Sequence, residues 1–139
     1  MDPCALLSPE AAQQAGLDPT GQKAESLLEE SPASCKWNVR GDFGNNVTLT
    51  PLTDRSIQTY RDGKAQFPDY RELTIAGHPA VRANKGDPAK DGFCRVQVGT
   101  KEGQVLEAFS DTNPGSGVDP CGLAQQALEA SVSGLPAAK

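Results

Sequence analysis

The tripeptide Asp-Pro-Cys stands near each end of the chain, as Asp2-Pro3-Cys4 and Asp119-Pro120-Cys121. Asp before Pro is a helix-start signal. The carboxylate accepts from N–H groups that a first turn leaves unpaired, and the fixed φ of proline suits the first helical position. A cysteine just inside each start marks a point where a helix can be stapled to another element. The other two cysteines, Cys35 and Cys94, fall in stretches that alternate apolar and polar residues. An even count of four points to two disulfides and an oxidising compartment. No Cys-x-x-Cys spacing occurs and His78 is the single histidine, so no metal centre is expected.

Four cysteines allow three pairings. Cys4–Cys35 with Cys94–Cys121 is favoured, because each bond then ties a helix start to a nearby strand. Each closes a loop of about 30 residues, worth roughly 3.5 kcal/mol on the chain-entropy account. Cys4–Cys121 with Cys35–Cys94, joining helix to helix and strand to strand, is the competing scheme.

Such staples suit the composition. The 139 residues are enough for one domain, yet only 37% are hydrophobic and 5% aromatic, which makes a lean core. The net charge is −5, and Lys85 and Lys90 are interleaved with Asp87 and Asp91. With no basic stripe, nucleic acid is not an expected partner. No apolar run approaches the length of a membrane span. Met1 directly precedes Asp2, and the cysteines lead us to expect that it replaces a removed export signal.

Along the chain, Ser8-Pro9-Glu10 starts a helix that Gly16 ends. Thr20 to Ser34 is polar and reads as a loop with a short helical piece around Leu27 and Leu28. Cys35 to Arg40 and Val47 to Thr50 alternate as two strands, with Gly41 to Asn46 as the turn and Pro51 as the stop. A helix capped by Thr53 or Asp54 carries Ile57 and Tyr60 on one face. Leu73–Ile75 and Ala80–Ala83 form a hairpin about Gly77-His78-Pro79, and Asn84 to Gly92 is a polar loop. Phe93–Val98, with Cys94, Val96 and Val98 on one face, pairs with Val105–Phe109. The second Asp-Pro-Cys opens a closing helix whose apolar stripe is Leu123, Ala124, Ala127, Leu128 and Val132. The expected fold is a single α+β domain over residues 1–139. It has a largely antiparallel sheet packed by N-terminal, middle and C-terminal helices.

No catalytic set converges in the sequence. His78 sits in a turn, where a histidine is commonly structural. Asp87 and Asp91 could pair as acid and base, but their loop has the composition of a solvated turn. Asp111-x-Asn113-x-Gly115 resembles the start of a calcium loop, yet Ser116 and Gly122 stand where glycine and glutamate are needed. Tyr60, Phe67 and Tyr70 flank the middle helix and its exit. Exposed together they would form a recognition patch; buried, they are core.

The run Asp2-Pro3-Cys4-Ala5-Leu6-Leu7-Ser8-Pro9-Glu10-Ala11-Ala12 resembles the opening of actinobacterial exported lipoproteins catalogued as domain of unknown function 3558. Cys35-x-Trp37, Gly77-His78-Pro79-Ala80-Val81, the Cys94 strand and the final Asp119-Pro120-Cys121 helix fit the same pattern in the same order. The resemblance implies export, a lipid anchor upstream, and residence on the outer face of the membrane, with the membrane touched only through that anchor. It also implies a PsbP-like α/β sandwich. It brings no catalytic residues and no cofactor. The expectation is therefore a non-enzymatic, monomeric extracytoplasmic domain that binds an envelope protein or small ligand. An inhibitor or immunity protein for a secreted enzyme, and a small extracellular hydrolase, are the alternatives.

Overall fold

The computed structural model describes residues 2–24, 33–101 and 103–133. Its strands are β1 (Gln22–Ala24), β2 (Ser34–Val39), β3 (Asp42–Leu52), β4 (Asp69–Ile75), β5 (His78–Asn84), β6 (Phe93–Lys101) and β7 (Gln104–Asp111). They form one seven-stranded sheet in the order β1-β2-β3-β7-β6-β5-β4, antiparallel at every pairing. The helices are α1 (Pro9–Gln14), α2 (Ile57–Asp62), α3 (Pro88–Asp91) and α4 (Pro120–Val132), with 3₁₀ turns at Pro3–Leu6 and Lys64–Gln66. The α+β domain read from the sequence is thus the fold.

Strand alternation sends Cys35, Trp37, Val47, Leu49, Ala80, Val96, Val98, Leu106 and Ala108 to one face of the sheet. There α4 and α1 cover them, and Leu123, Ala124, Ala127, Leu128 and Val132 of α4 are buried. A period near 3.6 meeting a period of 2 at one surface is what makes this the main core. The helix starts obey the Asp-Pro reading: Asp2 accepts from the Cys4 N–H at 2.9 Å and Asp119 from the Cys121 N–H at 3.1 Å.

The opposite, outer face is covered at one corner. Ile57 and Tyr60 of α2 pack on Leu52, Val81, Ala83 and Val105. Gly99 permits this approach, because a Cβ there would lie 2.8 Å from Ile57 Cγ1.

Both favoured disulfides are present. Cys4–Cys35 and Cys94–Cys121 each hold their Cα atoms 5.1 Å apart, well inside the bonding range. The competing scheme fails on geometry. Strands β3 and β7 lie between β2 and β6, and the register sets Cys94 two residues out of line with Cys35, so the two are more than three strand spacings, over about 14 Å, apart. The disulfides fit an oxidising, extracytoplasmic environment. Among the described residues, no helix is long and apolar enough to cross a membrane.

Several boundaries differ from the sequence reading. Strand β1 falls in the segment read as a loop; all its residues are exposed, so it shows no alternation, and its pairing of Lys23 with Cys35 makes it a strand. The helical piece expected around Leu27 and Leu28 lies outside the described residues. Pro51 does not stop β3. It sits past the last β2 pair, Cys35 with Leu49, where β3 is bonded on one side only and a missing N–H is tolerated. The cap of α2 is Ser56, whose N–H donates to Thr59 Oγ1 at 3.1 Å, in place of Thr53 or Asp54. The β4–β5 turn is Ala76-Gly77, both at positive φ, which draws His78 and Pro79 into the strand.

Candidate functional site

Tyr60, Phe67 and Tyr70 do converge, but as packing. Tyr60 is only 7% exposed, its ring lies 6.2 Å from that of Phe67, and Phe67 and Tyr70 are half-buried against the α2 corner. The segment after α2 folds back through its 3₁₀ turn, so these rings fill the space between helix and sheet and do not form an exposed trio. Burial pushes the Tyr60 phenol above its ordinary range, opposed by Arg55, whose Nη1 donates to its oxygen at 3.4 Å.

The exposed aromatic ring is elsewhere. Among the described residues Phe93 is the large hydrophobic that stands in solvent, 41% exposed. It points from β6 to the uncovered part of the outer face. Its ring centroid lies 5.8 Å from that of Phe109 on β7, and the guanidinium of Arg95 stacks 4.3 Å from the centre of the Phe109 ring. Register explains the grouping: Arg95 is opposite Phe109 and Phe93 is opposite Asp111.

Beside these rings lies a groove of about 260 Å³, lined by Phe67, Ala83 and Phe93 and by Lys85, Asp91 and Arg95. It opens where β5 and β6 part. Ladder pairing of these strands runs from Ala80–Val98 to Arg82–Val96. Beyond it the side chain of Asn84 takes over. Its Oδ1 accepts the Arg95 N–H at 2.8 Å and its Nδ2 donates to the Arg95 carbonyl at 3.3 Å. A side-chain amide replaces a backbone partner, so the strands separate without leaving buried polar groups unpaired.

Asn84 is itself held from behind. Its Nδ2 also donates to Asp69 Oδ2 at 2.9 Å, and Arg82 binds Asp69 through two 2.8 Å hydrogen bonds. Burial alone would raise the Asp69 carboxyl, but the hydrogen bonds from Arg82 and Asn84 outweigh it and hold the group below its usual range. Such a group contributes stability above its unfolded pKa of about 4, and that contribution is lost as pH falls through the lower folded value. Urea melts at pH 7 and pH 3 should therefore show a loss for the wild type that shrinks in Asp69→Asn. At pH 7 the variant should be weaker by roughly 3 kcal/mol, the low end for a broken buried pair, since both side chains keep some exposure. Equal pH dependence in the two proteins would contradict this role.

The remaining candidates have structural positions. His78 is fully buried and neither ring nitrogen has a partner among the described residues. Asp87 caps α3, accepting from the Ala89 N–H at 3.1 Å, while Asp91 leans over the backbone of Gly86. They are not paired as acid and base. Asn113 of the calcium-like run donates its N–H to Asn45 Oδ1 at 2.8 Å, and Asn45 donates to Asp42, which ties the loop after β7 to the start of β3. Among the described residues no group of three or more His, Cys, Asp or Glu could hold a metal.

Phe93, Arg95 and Phe109 were not singled out from the sequence. The signal was available: with Cys94, Val96 and Val98 facing inward, positions 93 and 95 must face out. A phenylalanine at an outward position is the anomaly that marks the surface.

No match to the chain was found among curated proteins or among solved structures. A family model described as protein of unknown function (DUF3558) matches residues 1–133, and the chain belongs to this family.

Proposed function

We propose that the domain is a non-enzymatic, extracytoplasmic binding module, carried on a lipid anchor at the outer face of the membrane. Its ligand or partner is taken on the uncovered part of the outer sheet face. The observation that carries this reading is the Phe93–Phe109–Arg95 group beside the groove where β5 and β6 part. An exposed aromatic next to a stacked arginine is the composition of interaction surfaces, where both residue types are enriched. Placing it on strands gives it a rigid base, because the opposite face is filled by the main core and two disulfides. The non-enzymatic part draws support from the candidate acid–base residues: His78 is enclosed and Asp87 is engaged as a cap.

The test is an amide chemical-shift titration of ¹⁵N-labelled protein with solubilised cell-envelope extract. Shifts should cluster at residues 83–86, 93–95 and 107–111, and Phe93→Ser should weaken them. Shifts confined to α1 and α4, or an unperturbed spectrum, would count against the reading.

A further inference from the structure

We infer that the groove accepts a small organic monoanion with an apolar body, its carboxylate between Lys85 and Arg95 and its hydrocarbon against Phe67, Ala83 and Phe93. This rests on the reading of the outer face as the binding surface and adds the chemical class of the ligand.

Charge is the first support. Two cations and one acid line the groove, a local balance of +1 in a chain of net charge −5. A positive depression on an acidic protein draws anions against the overall field. Availability of the cations is the second. Among the described residues the ion pairs are Arg55–Asp54, Arg61–Glu72 and Arg82–Asp69, so neither Lys85 nor Arg95 is committed. The cation–π contact with Phe109 positions the guanidinium of Arg95 without an ion pair, so its N–H donors can take a carboxylate.

Asp91 limits the charge. Its carboxylate stands at the loop margin over Gly86 and opposes a second negative group, so a monoanion suits the groove better than a dianion. Size limits the body. About 260 Å³ lies just under the usual range for drug-sized ligands and suits a single ring or a short branched chain. The walls agree, since two of the three apolar lining residues are phenylalanines that offer flat faces.

The probe is phenylacetate, with 2-phenylethanol and phenethylamine as neutral and cationic analogues. Each is titrated into the folded, oxidised protein and followed by amide shifts. Phenylacetate should perturb residues 83–86 and 93–95 and bind at least about tenfold tighter than either analogue, and Lys85→Ala and Arg95→Ala should each weaken it by about tenfold. Both residues are exposed, so the variants should keep the wild-type spectrum away from the groove. Equal binding of alcohol or amine would overturn the anion assignment and leave the outer face standing as a binding surface. No phenylacetate shift in the groove would overturn the inference as well. The envelope-extract titration, which does not depend on ligand charge, then decides separately whether the face binds anything.

Discussion

Reducing both disulfides is expected to unfold the domain, or bring it to the edge of unfolding, at room temperature. The bonded cysteines are 31 and 27 residues apart. Each bond removes roughly 3.6 kcal/mol of denatured-chain freedom on the loop-closure account. The two loops do not overlap, so the effects add to about 7 kcal/mol. Domains of this size are stable by only about 5–15 kcal/mol in total, and the apolar content here is low. Cys35 and Cys94 are fully enclosed and Cys121 nearly so, which means a reductant acts slowly on the native protein and fast once urea opens it. Thermal melts by circular dichroism should place the Cys94→Ser/Cys121→Ser variant roughly 10–15 °C below the wild type. A drop of only two or three degrees would show that α4 is held by packing and that the staple is dispensable. The Cys4→Ser/Cys35→Ser variant isolates the other bond. There the N-terminal segment keeps a second tie, from Ser131 Oγ to the Leu6 carbonyl at 2.8 Å.

Trp37→Ala should cost about 4 kcal/mol, the range for emptying a large aromatic site in a core. Trp37 is 1% exposed, and the backbone at Gly21 lies directly over it: a Cβ there would be 2.7 Å from Trp37 Cε2 and would meet Cys35 Sγ. On that side the wall of the site is bare backbone, which brings no side chain of its own to fill the space. Trp37→Phe should cost far less, about 1–1.5 kcal/mol. The indole Nε1 has no hydrogen-bond partner among the described residues, so phenylalanine gives up area but no bond. Urea titration of the three proteins gives the comparison, and the single tryptophan supplies a native emission that should be blue-shifted and move red on unfolding. A Phe variant as weak as the Ala variant would mean that the Nε1 is engaged after all.

What the sequence revealed follows from how locally each feature is encoded. Cys35-x-Trp37 and Cys94-x-Val96-x-Val98 alternate because one sheet face is buried, so those strands could be read directly. The stripe of α4 was legible for the same reason at helical spacing. Strand β1 was not, because it pairs by backbone alone and buries nothing. Helix α3 was hidden in a polar loop although Asp87-Pro88 repeats the very signal that marked the two ends of the chain. The groove was harder still. It depends on Asn84 meeting Arg95 across two strands, and neither residue announces that contact in its neighbourhood. Tyr60, Phe67 and Tyr70 were noticed for their aromaticity, but the fold-back that turns them inward is a matter of loop path.

Asn84 carries one more implication. Its side chain bridges the gap that a direct strand-to-strand hydrogen bond would close, so the spread of the two strands is measured out by a single Cβ–Cγ–amide reach. The aperture of the groove is in that sense a ruler built into one residue. On the proposed reading of the outer face, residue 84 is thus where the width open to a ligand is set.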